Sequence, residues 1–205
     1  MKSLILIGAS GFGREALWVC RRAGWTVLGF CDDAAEKQSG DWAGLPLLGS
    51  IEAADARFAT AGTPPHFHCA VGDNRARKVL TERARACGWM PASVIDPSAI
   101  MAPDASLSEG VFVGPFAVVS CRARVGACVV INQHAGVGHD STVGDFAQVC
   151  PGARVSGHCE VGEGALLGSN AVLLPTRRMG AWSVLGAGAV ALRDLPDGGS
   201  VVRLK

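Results

Sequence analysis

A strict six-residue repeat runs through the second half of the chain. From Ile95 to Ala191, sixteen of the seventeen residues met at steps of six are large aliphatics, and no insertion interrupts the series. Most residues four positions later are small, in a parallel series that extends to Leu195. A period of six matches neither an amphipathic helix nor a long alternating strand. It is typical of short strands separated by turns and stacked into a β-solenoid.

The repeat also predicts where its residues lie. Three hexapeptides form one triangular coil of eighteen residues, which gives roughly five coils. The large aliphatics are expected to fill the prism, and the small residues to point inward near the corners. The frequent glycine after the aliphatic, as at Gly114 and Gly144, is expected to supply the backbone angles of the corners. A solenoid alone can be a mere scaffold, so any activity has to come from particular side chains.

The first part of the chain has a different pattern, and we place the boundary between residues 1–92 and 93–205. Strands are predicted over Ser3–Ile7, Trp25–Phe30, Leu45–Leu48, Phe67–Val71 and Met90–Ile95, with helices over Arg14–Ala23, Ile51–Phe58 and Asn74–Cys87. This alternation predicts a small parallel α/β domain of Rossmann-like type. The segment is too short for a complete six-stranded dinucleotide-binding sheet.

A glycine-rich turn follows the first predicted strand. Gly8, Gly11 and Gly13 precede a helix, where backbone N–H groups can reach a phosphate. Asp32 and Asp33 come about twenty residues later, where acidic side chains can accept hydrogen bonds from a ribose. The glycine spacing differs from the dinucleotide fingerprint. The alternatives are therefore a nucleotide site, an NAD-linked enzyme, or a tight turn with no ligand.

A second loop, Val71-Gly-Asp-Asn-Arg75, ends one predicted strand and begins a helix. Such loops commonly carry binding residues in α/β sheets. The alternative is that Asp73 or Asn74 only caps the helix.

Composition limits the partners and the compartment. Nineteen Lys and Arg balance eighteen Asp and Glu, so nothing indicates a nucleic-acid or membrane surface. No apolar run reaches transmembrane length, and Leu4–Ile7 is too short for a signal-peptide core. None of the eight cysteines forms a C-x-x-C pair. We therefore expect a cytoplasmic protein with reduced, mostly buried cysteines.

Three histidines in the solenoid are candidate bases. His139 follows the inward Val137 by two residues and is expected to face outward, next to Asp140. His158 comes eighteen residues after Asp140 and is expected to stack on it in the next coil. A neutral imidazole can accept a proton near pH 7, and a carboxylate can orient it. Spacing alone leaves His134, His139 and His158 open, as well as a solvated His–Asp pair without function. No metal is predicted, because His134, His139 and Asp140 lack a further ligand at a characteristic spacing.

The whole chain resembles the sugar O-acyltransferase family of hexapeptide-repeat proteins. This family includes relatives of sialic-acid O-acetyltransferases and N-acetyltransferases that act on nucleotide-linked 4-amino-sugars of the bacillosamine and perosamine type. The resemblance rests on GASGFGREAL at 8–17, GFCDD at 29–33, LLGS at 47–50, VGDNRARKVL at 71–80, VIDPSAI at 94–100, GHDSTVGDF at 138–146 and LGAGAVALRDLPDG at 185–198. It implies a left-handed parallel β-helix, a homotrimer with active sites between subunits, and acetyl-CoA as co-substrate.

The resemblance also implies roles for particular residues. His139 would be the general base, Asp140 would orient it, and Asn132 matches an active-site asparagine. Adjacent residues on an extended chain point in opposite directions. An extended backbone would therefore not by itself bring the Asp140 carboxylate to the His139 ring. Acetyl-CoA would touch the backbone near Gly157, Ser169 and Ala187. The nucleotide part of the substrate would be held through Gly8, Ser10, Gly11, Asp32, Asp33 and Asn74.

The expected activity is N-acetylation of a nucleotide-linked 4-amino-6-deoxysugar. The alternatives are O-acetylation of sialic acid and a non-catalytic nucleotide-sugar-binding scaffold. Two features depart from the family pattern. The Gly-Pro-Ala motif that usually follows the Asp197-Gly198 turn and closes over CoA is missing. Arg177 and Arg178 interrupt the small-residue series, either to face CoA phosphates or to bulge outward.

Overall fold

The computed structural model describes residues 2–37, 39–58 and 65–202. The chain forms two compact units, Met1–Val94 and Ile95–Lys205. Within the described ranges, no helix has both the length and the apolar character needed to cross a membrane.

Over its described residues, the first unit contains one sheet and three helices. Its elements are β1 Ser3–Ile7, α1 Gly11–Arg22, β2 Thr26–Cys31, a 3-10 turn at Ala35–Lys37, β3 Asp41–Trp42, β4 Leu45–Gly49, α2 Ile51–Phe58, β5 His66–Cys69, α3 Asn74–Ala86 and β6 Met90–Pro91. The strand order is β3-β4-β2-β1-β5-β6. Leu4, Ile5 and Leu6 of β1 are fully buried, as expected for a central parallel strand covered on both faces.

Two strand predictions needed correction. β3 was not predicted and pairs antiparallel with β4, so the sheet is not purely parallel. Ala43 and Gly44 join the two strands with φ of 51° and 76°, a turn that uses positive φ at both central residues. The single strand predicted over Met90–Ile95 is divided between β6 and a separate strand at Val94–Ile95.

From Val94 onward the chain forms two-residue strands that wind into a triangular parallel β-helix. They are β7 Val94–Ile95, β8 Ile100–Met101, β9 Ser106–Leu107, β10 Phe112–Val113, β11 Val118–Val119, β12 Arg124–Val125, β13 Val130–Ile131, β14 Gly136–Val137, β15 Thr142–Val143, β16 Gln148–Val149, β17 Arg154–Val155, β18 Glu160–Val161, β19 Leu166–Leu167, β20 Val172–Leu173, β21 Arg178–Met179, β22 Val184–Leu185, β23 Val190–Ala191 and β24 Ser200–Val201. The sheet orders are β24-β22-β19-β16-β13-β10-β7, β23-β20-β17-β14-β11-β8 and β21-β18-β15-β12-β9.

The interior of the helix confirms the predicted pattern. Large aliphatics such as Val119, Ile131 and Leu167 are fully buried, and small residues such as Ala135 and Ala165 fill the space beside them. Paired strands are offset by eighteen residues, as between Val119 and Val137.

The corners of the triangle form three columns that run along the helix. In each column the corner residues stack at eighteen-residue intervals and adopt φ between 53° and 71°. The first edge contains Arg122, Asp140, His158 and Thr176; the second contains Phe116, His134, Gly152, Asn170 and Gly188; the third contains Gly110, Cys128, Phe146, Gly164 and Trp182. The sheet β23-β20-β17-β14-β11-β8 forms the face between the first and second edges.

The glycines after the aliphatics do not supply the corner angles, so that expectation was wrong. The positive-φ corners are occupied by residues such as Asp140 and His158 and by other glycines, such as Gly152 and Gly164. A Cβ at Gly144 would instead lie 2.8 Å from the amide nitrogen of Glu163, and one at Gly138 would lie 2.7 Å from that of Gly157. These glycines are needed because backbones of successive coils approach closely.

The repeat shortens at its end. Val184 pairs with Ser200 and Met179 bridges Leu195, both sixteen residues apart rather than eighteen. Leu195 therefore lies over an aliphatic position and not in the small-residue series where it was predicted. Arg177 does not enter the prism, since its Nη1 lies 3.7 Å from Oδ1 of Asp194 at the surface.

Candidate active site

The site is built on the first edge, where three coils place polar side chains in one column. The amide of Asp140 donates to the carbonyl of Cys121 at 3.0 Å, and that of His158 to the carbonyl of His139 at 2.9 Å. This stacking puts His158 over Asp140, as the eighteen-residue spacing predicted. Nε2 of His158 lies 3.6 Å from Oδ2 of Asp140.

Asp140 contacts the residue that precedes it, which an extended chain would not allow. Its Oδ2 lies 2.9 Å from Nδ1 of His139. The φ of 58° at Asp140 takes the backbone out of the extended region, so the two side chains lie on the same side. The expectation that they diverge was therefore wrong. The corner itself creates the pair.

The environment keeps the Asp140 carboxylate ionised. The hydrogen bond from His139 is the main factor that lowers the pKa of Asp140, and partial desolvation opposes it. The nearby charge of Arg122 lowers this pKa further, with its Nη2 2.5 Å from Oδ1. Arg122 was not selected from the sequence, although its position eighteen residues before Asp140 could have revealed it.

The pair leaves one imidazole nitrogen available for proton transfer. Because the carboxylate is an acceptor, the hydrogen-bond pattern assigns the proton of neutral His139 to Nδ1. Nε2 then carries the lone pair, on a side chain that is 57% exposed. The arrangement is that of a histidine base oriented by a carboxylate.

Gly157 lies one coil beyond His139 and directly under its ring. A Cβ at position 157 would be 2.5 Å from Nε2 and 2.7 Å from Cε1, so only glycine leaves room for the imidazole. Within the described part of the chain, the Gly157 amide donates no hydrogen bond. A free N–H group beside the basic nitrogen can stabilise an oxyanion.

The other solenoid residues predicted to bind substrates lie at the second edge. Ser169 precedes the corner at Asn170, and its carbonyl accepts from Gly188, next to Ala187, at 2.8 Å. Asn132 is almost buried, and its Oδ1 accepts from the amide of Gln133 at 2.8 Å. Within one chain the structure does not bring these residues to His139.

His134 is also separated from the His139 column. It occupies the second edge, where its ring stacks on Phe116 with centroids 5.3 Å apart. The set His134, His139 and Asp140, considered from the sequence as possible metal ligands, is therefore not assembled.

The first unit contains a pocket of about 260 Å³ at the carboxyl ends of β1, β2 and β5. Four of the residues predicted to bind the nucleotide line it: Gly8, Ser10, Asp32 and Asp33. The remaining lining residues are Ile7, Cys31, Ile51, Val71 and Leu80. Gly11 and Asn74 are not among them. Binding crevices of parallel α/β sheets occur at this end of the strands.

The glycines of the turn between β1 and α1 have different functions. Gly8 has a φ of 105°, and a Cβ there would lie 2.9 Å from the carbonyl oxygen of Ala70. A Cβ at Gly13 would collide with the carbonyl oxygen of Gly8, whereas one at Gly11 would meet open space. Gly8 and Gly13 thus satisfy backbone packing, and Gly11 leaves space at the start of α1.

The two aspartates are held by the protein in different ways. Oδ2 of Asp32 accepts from the amide of Ala9 at 2.8 Å, so this residue fixes the glycine-rich turn. Asp33 forms an ion pair with Nη1 of Arg83 at 2.5 Å at the half-exposed rim. Hydrogen bonding to Asp33 is the main factor that raises the pKa of Arg83, which also contacts Glu52 at 2.9 Å.

The loop before α3 shows both of its predicted features. Asp73 caps the helix, since its Oδ1 accepts from the amide of Ala76 at 2.8 Å. Asn74 is nearly buried, and its Oδ1 accepts from Nη2 of Arg77 at 2.8 Å. Arg77 also donates to the carbonyl of Val71 at 2.9 Å, which ties the loop to the helix.

Comparison with known proteins agrees with both units. Residues 3–84 match the PglD N-terminal domain. The structure is similar to a histidine-to-asparagine variant of perosamine N-acetyltransferase from Caulobacter crescentus, in complex with CoA and GDP-perosamine; the TM-score is 0.92, with 30% identity over 99% of this chain and 94% of that one. It is also similar to the acetyltransferase domain of PglB from Neisseria gonorrhoeae, with a TM-score of 0.85 and 30% identity over 98% of this chain and 96% of that one.

A curated relative, GDP-perosamine N-acetyltransferase of Escherichia coli, is 27% identical over 126 residues. That match covers 60% of this chain and spans 55% of the length of the relative. The predicted fold class, a Rossmann-like α/β domain followed by a left-handed parallel β-helix, is confirmed. On identity and coverage together, this chain belongs to the sugar acyltransferase family of hexapeptide-repeat proteins, with the amino-sugar N-acetyltransferases among its members.

Proposed function

We propose that this protein transfers the acetyl group of acetyl-CoA to the amine of a nucleotide-linked 4-amino-6-deoxysugar. The observation that carries the proposal is the orientation of His139, with Nδ1 bound to Asp140 and Nε2 facing Gly157 on an exposed side chain. The similarity to Caulobacter crescentus proteins solved with CoA and GDP-perosamine supports this pair of substrates.

In the proposed mechanism, Nε2 of His139 accepts a proton as the sugar amine attacks the thioester carbonyl. Asp140 stabilises the resulting imidazolium through Nδ1. The amide of Gly157 donates to the oxyanion of the tetrahedral intermediate. When the carbon–sulfur bond breaks, Nε2–H returns the proton to the leaving thiolate. Such a base contributes about 10²–10⁴-fold to the rate.

We further propose a homotrimer in which two edges of neighbouring chains form each site. His139 and Gly157 lie at the first edge, whereas Asn132, Ser169 and Ala187 lie at the second. The face between these edges exposes stacked apolar side chains: Ile100 is 64% exposed, Val118 39% and Val190 44%. Placing the first edge of one chain against the second edge of the next would unite the two sets and cover this face.

The pocket of the first unit is proposed to hold the nucleotide of the substrate. Ser10, which precedes α1, makes no side-chain cap to the helix, and Asp33 lies at the rim. Backbone N–H groups at a helix start suit phosphate, and carboxylates suit ribose hydroxyls. A cytoplasmic location accords with eight cysteines that form no disulfide among the described residues, since thiols stay reduced in that compartment.

The test is turnover of acetyl-CoA with UDP- and GDP-linked 4-amino-6-deoxysugars, with the acetylated product measured by mass spectrometry. We expect turnover that is lost in His139→Ala and retained in His66→Ala, a matched change at the start of β5 and outside the pocket. Products resistant to hydroxylamine would identify amides. Hydroxylamine-labile esters on sialic acid would replace the proposal with O-acetylation. Nucleotide-sugar binding without turnover of any acceptor would favour the scaffold.

A further inference from the structure

The column that orients the base also has the composition of a metal site. One ligand atom each from His139, Asp140 and His158 lies within 4.8 Å of the others. Among residues 2–37, 39–58 and 65–202, no other group of three His, Cys or carboxylate side chains is this close. Imidazole and carboxylate are ligands that zinc and cobalt accept.

The distances between these ligand atoms suit an ion with tetrahedral coordination. Bonds of about 2.0–2.2 Å to zinc place neighbouring ligand atoms roughly 3.4 Å apart. Oδ2 of Asp140 lies 2.9 Å from Nδ1 of His139 and 3.6 Å from Nε2 of His158, on either side of that value. The guanidinium of Arg122 contacts the other oxygen, Oδ1, and so leaves Oδ2 available.

Within one chain the cluster is open to solvent, and in the proposed trimer it lies at an edge that the substrates must also reach. The side chains of His139 and His158 are 57% and 59% exposed, and their rings meet edge to face with centroids 5.1 Å apart. An ion can therefore enter from solvent and keep a water molecule as its fourth ligand.

We propose that His139, Asp140 and His158 bind a divalent transition-metal ion of the zinc class, and that this ion inhibits acetyl transfer. A metal bound to Nδ1 uses the lone pair of that nitrogen, so the single proton of the neutral ring must lie on Nε2. Nε2–H cannot accept a proton from the attacking amine. The ion therefore fixes the inactive tautomer without changing the oxidation state of any group.

The binding part of this proposal is independent of the enzyme activity, whereas the inhibition part rests on the proposed function. Binding is measured on the chelator-treated full chain by titration with Co²⁺, followed through visible absorption and calorimetry. We expect one ion per chain. Spectra without thiolate charge-transfer bands would exclude the eight cysteines as ligands.

The discriminating variants are His158→Gln and His66→Gln. Loss of an outer-sphere partner typically weakens metal binding 10–100-fold, so removal of a direct ligand at His158 should weaken it at least about tenfold. His66→Gln removes a histidine from the start of β5 in the first unit and should bind Co²⁺ like the parent. Circular dichroism would check that both variants are folded. Equal binding by the parent and His158→Gln, or equal weakening in both variants, would overturn the site.

Inhibition is measured with Zn²⁺ on the acetylated product, because CoA thiolate itself binds zinc. We expect loss of activity that EDTA restores, and His158→Gln should need at least about tenfold more Zn²⁺ for the same fractional loss. The same Zn²⁺ sensitivity in parent and variant would refute inhibition through this cluster. If the untreated enzyme has no transferase activity, the proposed function fails, and the Co²⁺ titration still decides the metal site.

Discussion

Gly157 and His139 occupy the same position in successive coils, and the imidazole lies where any side chain at 157 would be. A methyl group there would stand 2.5 Å from Nε2. The ring of the base therefore depends on the absence of a side chain in the next coil. The first prediction follows from this relationship.

Gly157→Ala should displace the His139 ring and lower kcat by about 10²-fold, the usual effect of a misplacement near 1 Å. Thermal denaturation should change little, because the ring can rotate towards solvent. Gly136→Ala is the matched control, since its Cβ would meet only the flexible side chain of Arg154 at 3.2 Å. Parent-like kcat in Gly157→Ala would contradict the proposed position of the ring.

Asp140→Asn should lower kcat by about 10²–10⁴-fold, because an amide no longer selects the Nδ1–H tautomer or stabilises imidazolium. The measurement is steady-state kinetics with acetyl-CoA saturating. Asp145→Asn makes the same change in a carboxylate that accepts from the amide of Ala127 at 2.8 Å, away from the first edge. Equal losses in the two variants would show a general effect on the solenoid.

Co-expression of His139→Ala and Asn132→Ala chains should restore activity that neither has alone. If each site takes His139 from one chain and Asn132 from its neighbour, random mixing leaves about a quarter of the sites intact. Two affinity tags would isolate the mixed oligomers for assay. Mixed oligomers without activity would place both residues in sites of a single chain.

Ser141→Ala should destabilise the protein by about 1–3 kcal/mol. The fully buried hydroxyl donates to the carbonyl of Ser156 at 2.7 Å and accepts from the amide of Cys159 at 3.0 Å, so the change leaves a buried N–H without an acceptor. Ser183→Ala is the comparison, because that buried hydroxyl donates to Gly180 at 2.7 Å. Urea denaturation should rank Ser141→Ala as the more destabilising; the reverse order would refute this.

Stability should fall as the pH decreases from about 6.5 to about 4, and His68 should account for part of this loss. Burial lowers the pKa of His68 to about 4, so within this interval the unfolded chain binds a proton that the folded chain does not. The contribution is up to about 3 kcal/mol. In His68→Gln the urea midpoint should depend less on pH across this range; the same pH dependence in the variant and the parent would contradict a role for His68.

The sequence predicted the coils, the inward series and the stacking of His158 on Asp140, because all three depend only on a fixed register. It did not predict the contact between His139 and Asp140, since that depends on a positive φ that aspartate adopts at a corner. The structure was also needed to separate His134 from the other candidate bases, because residue type alone does not tell one edge of the β-helix from another.

Two further differences between the sequence prediction and the structure arise from backbone geometry. The glycines after the aliphatics are needed for the close approach of coils, which a pattern within one coil does not reveal. Leu195 lies over Met179 because the last coil is two residues shorter, and its residue type fits either series.

The fixed register of Arg122, Asp140 and His158 has a consequence for how the chain can vary. Each coil closes on its neighbours by its own pairing, so extra residues that loop out at Cys128 or Phe146 would leave this column aligned. The third edge is thus the place where chain length can change without disturbing this column, whereas a single residue added within the strands between Arg122 and His158 would move Arg122 or His158 out of register with Asp140.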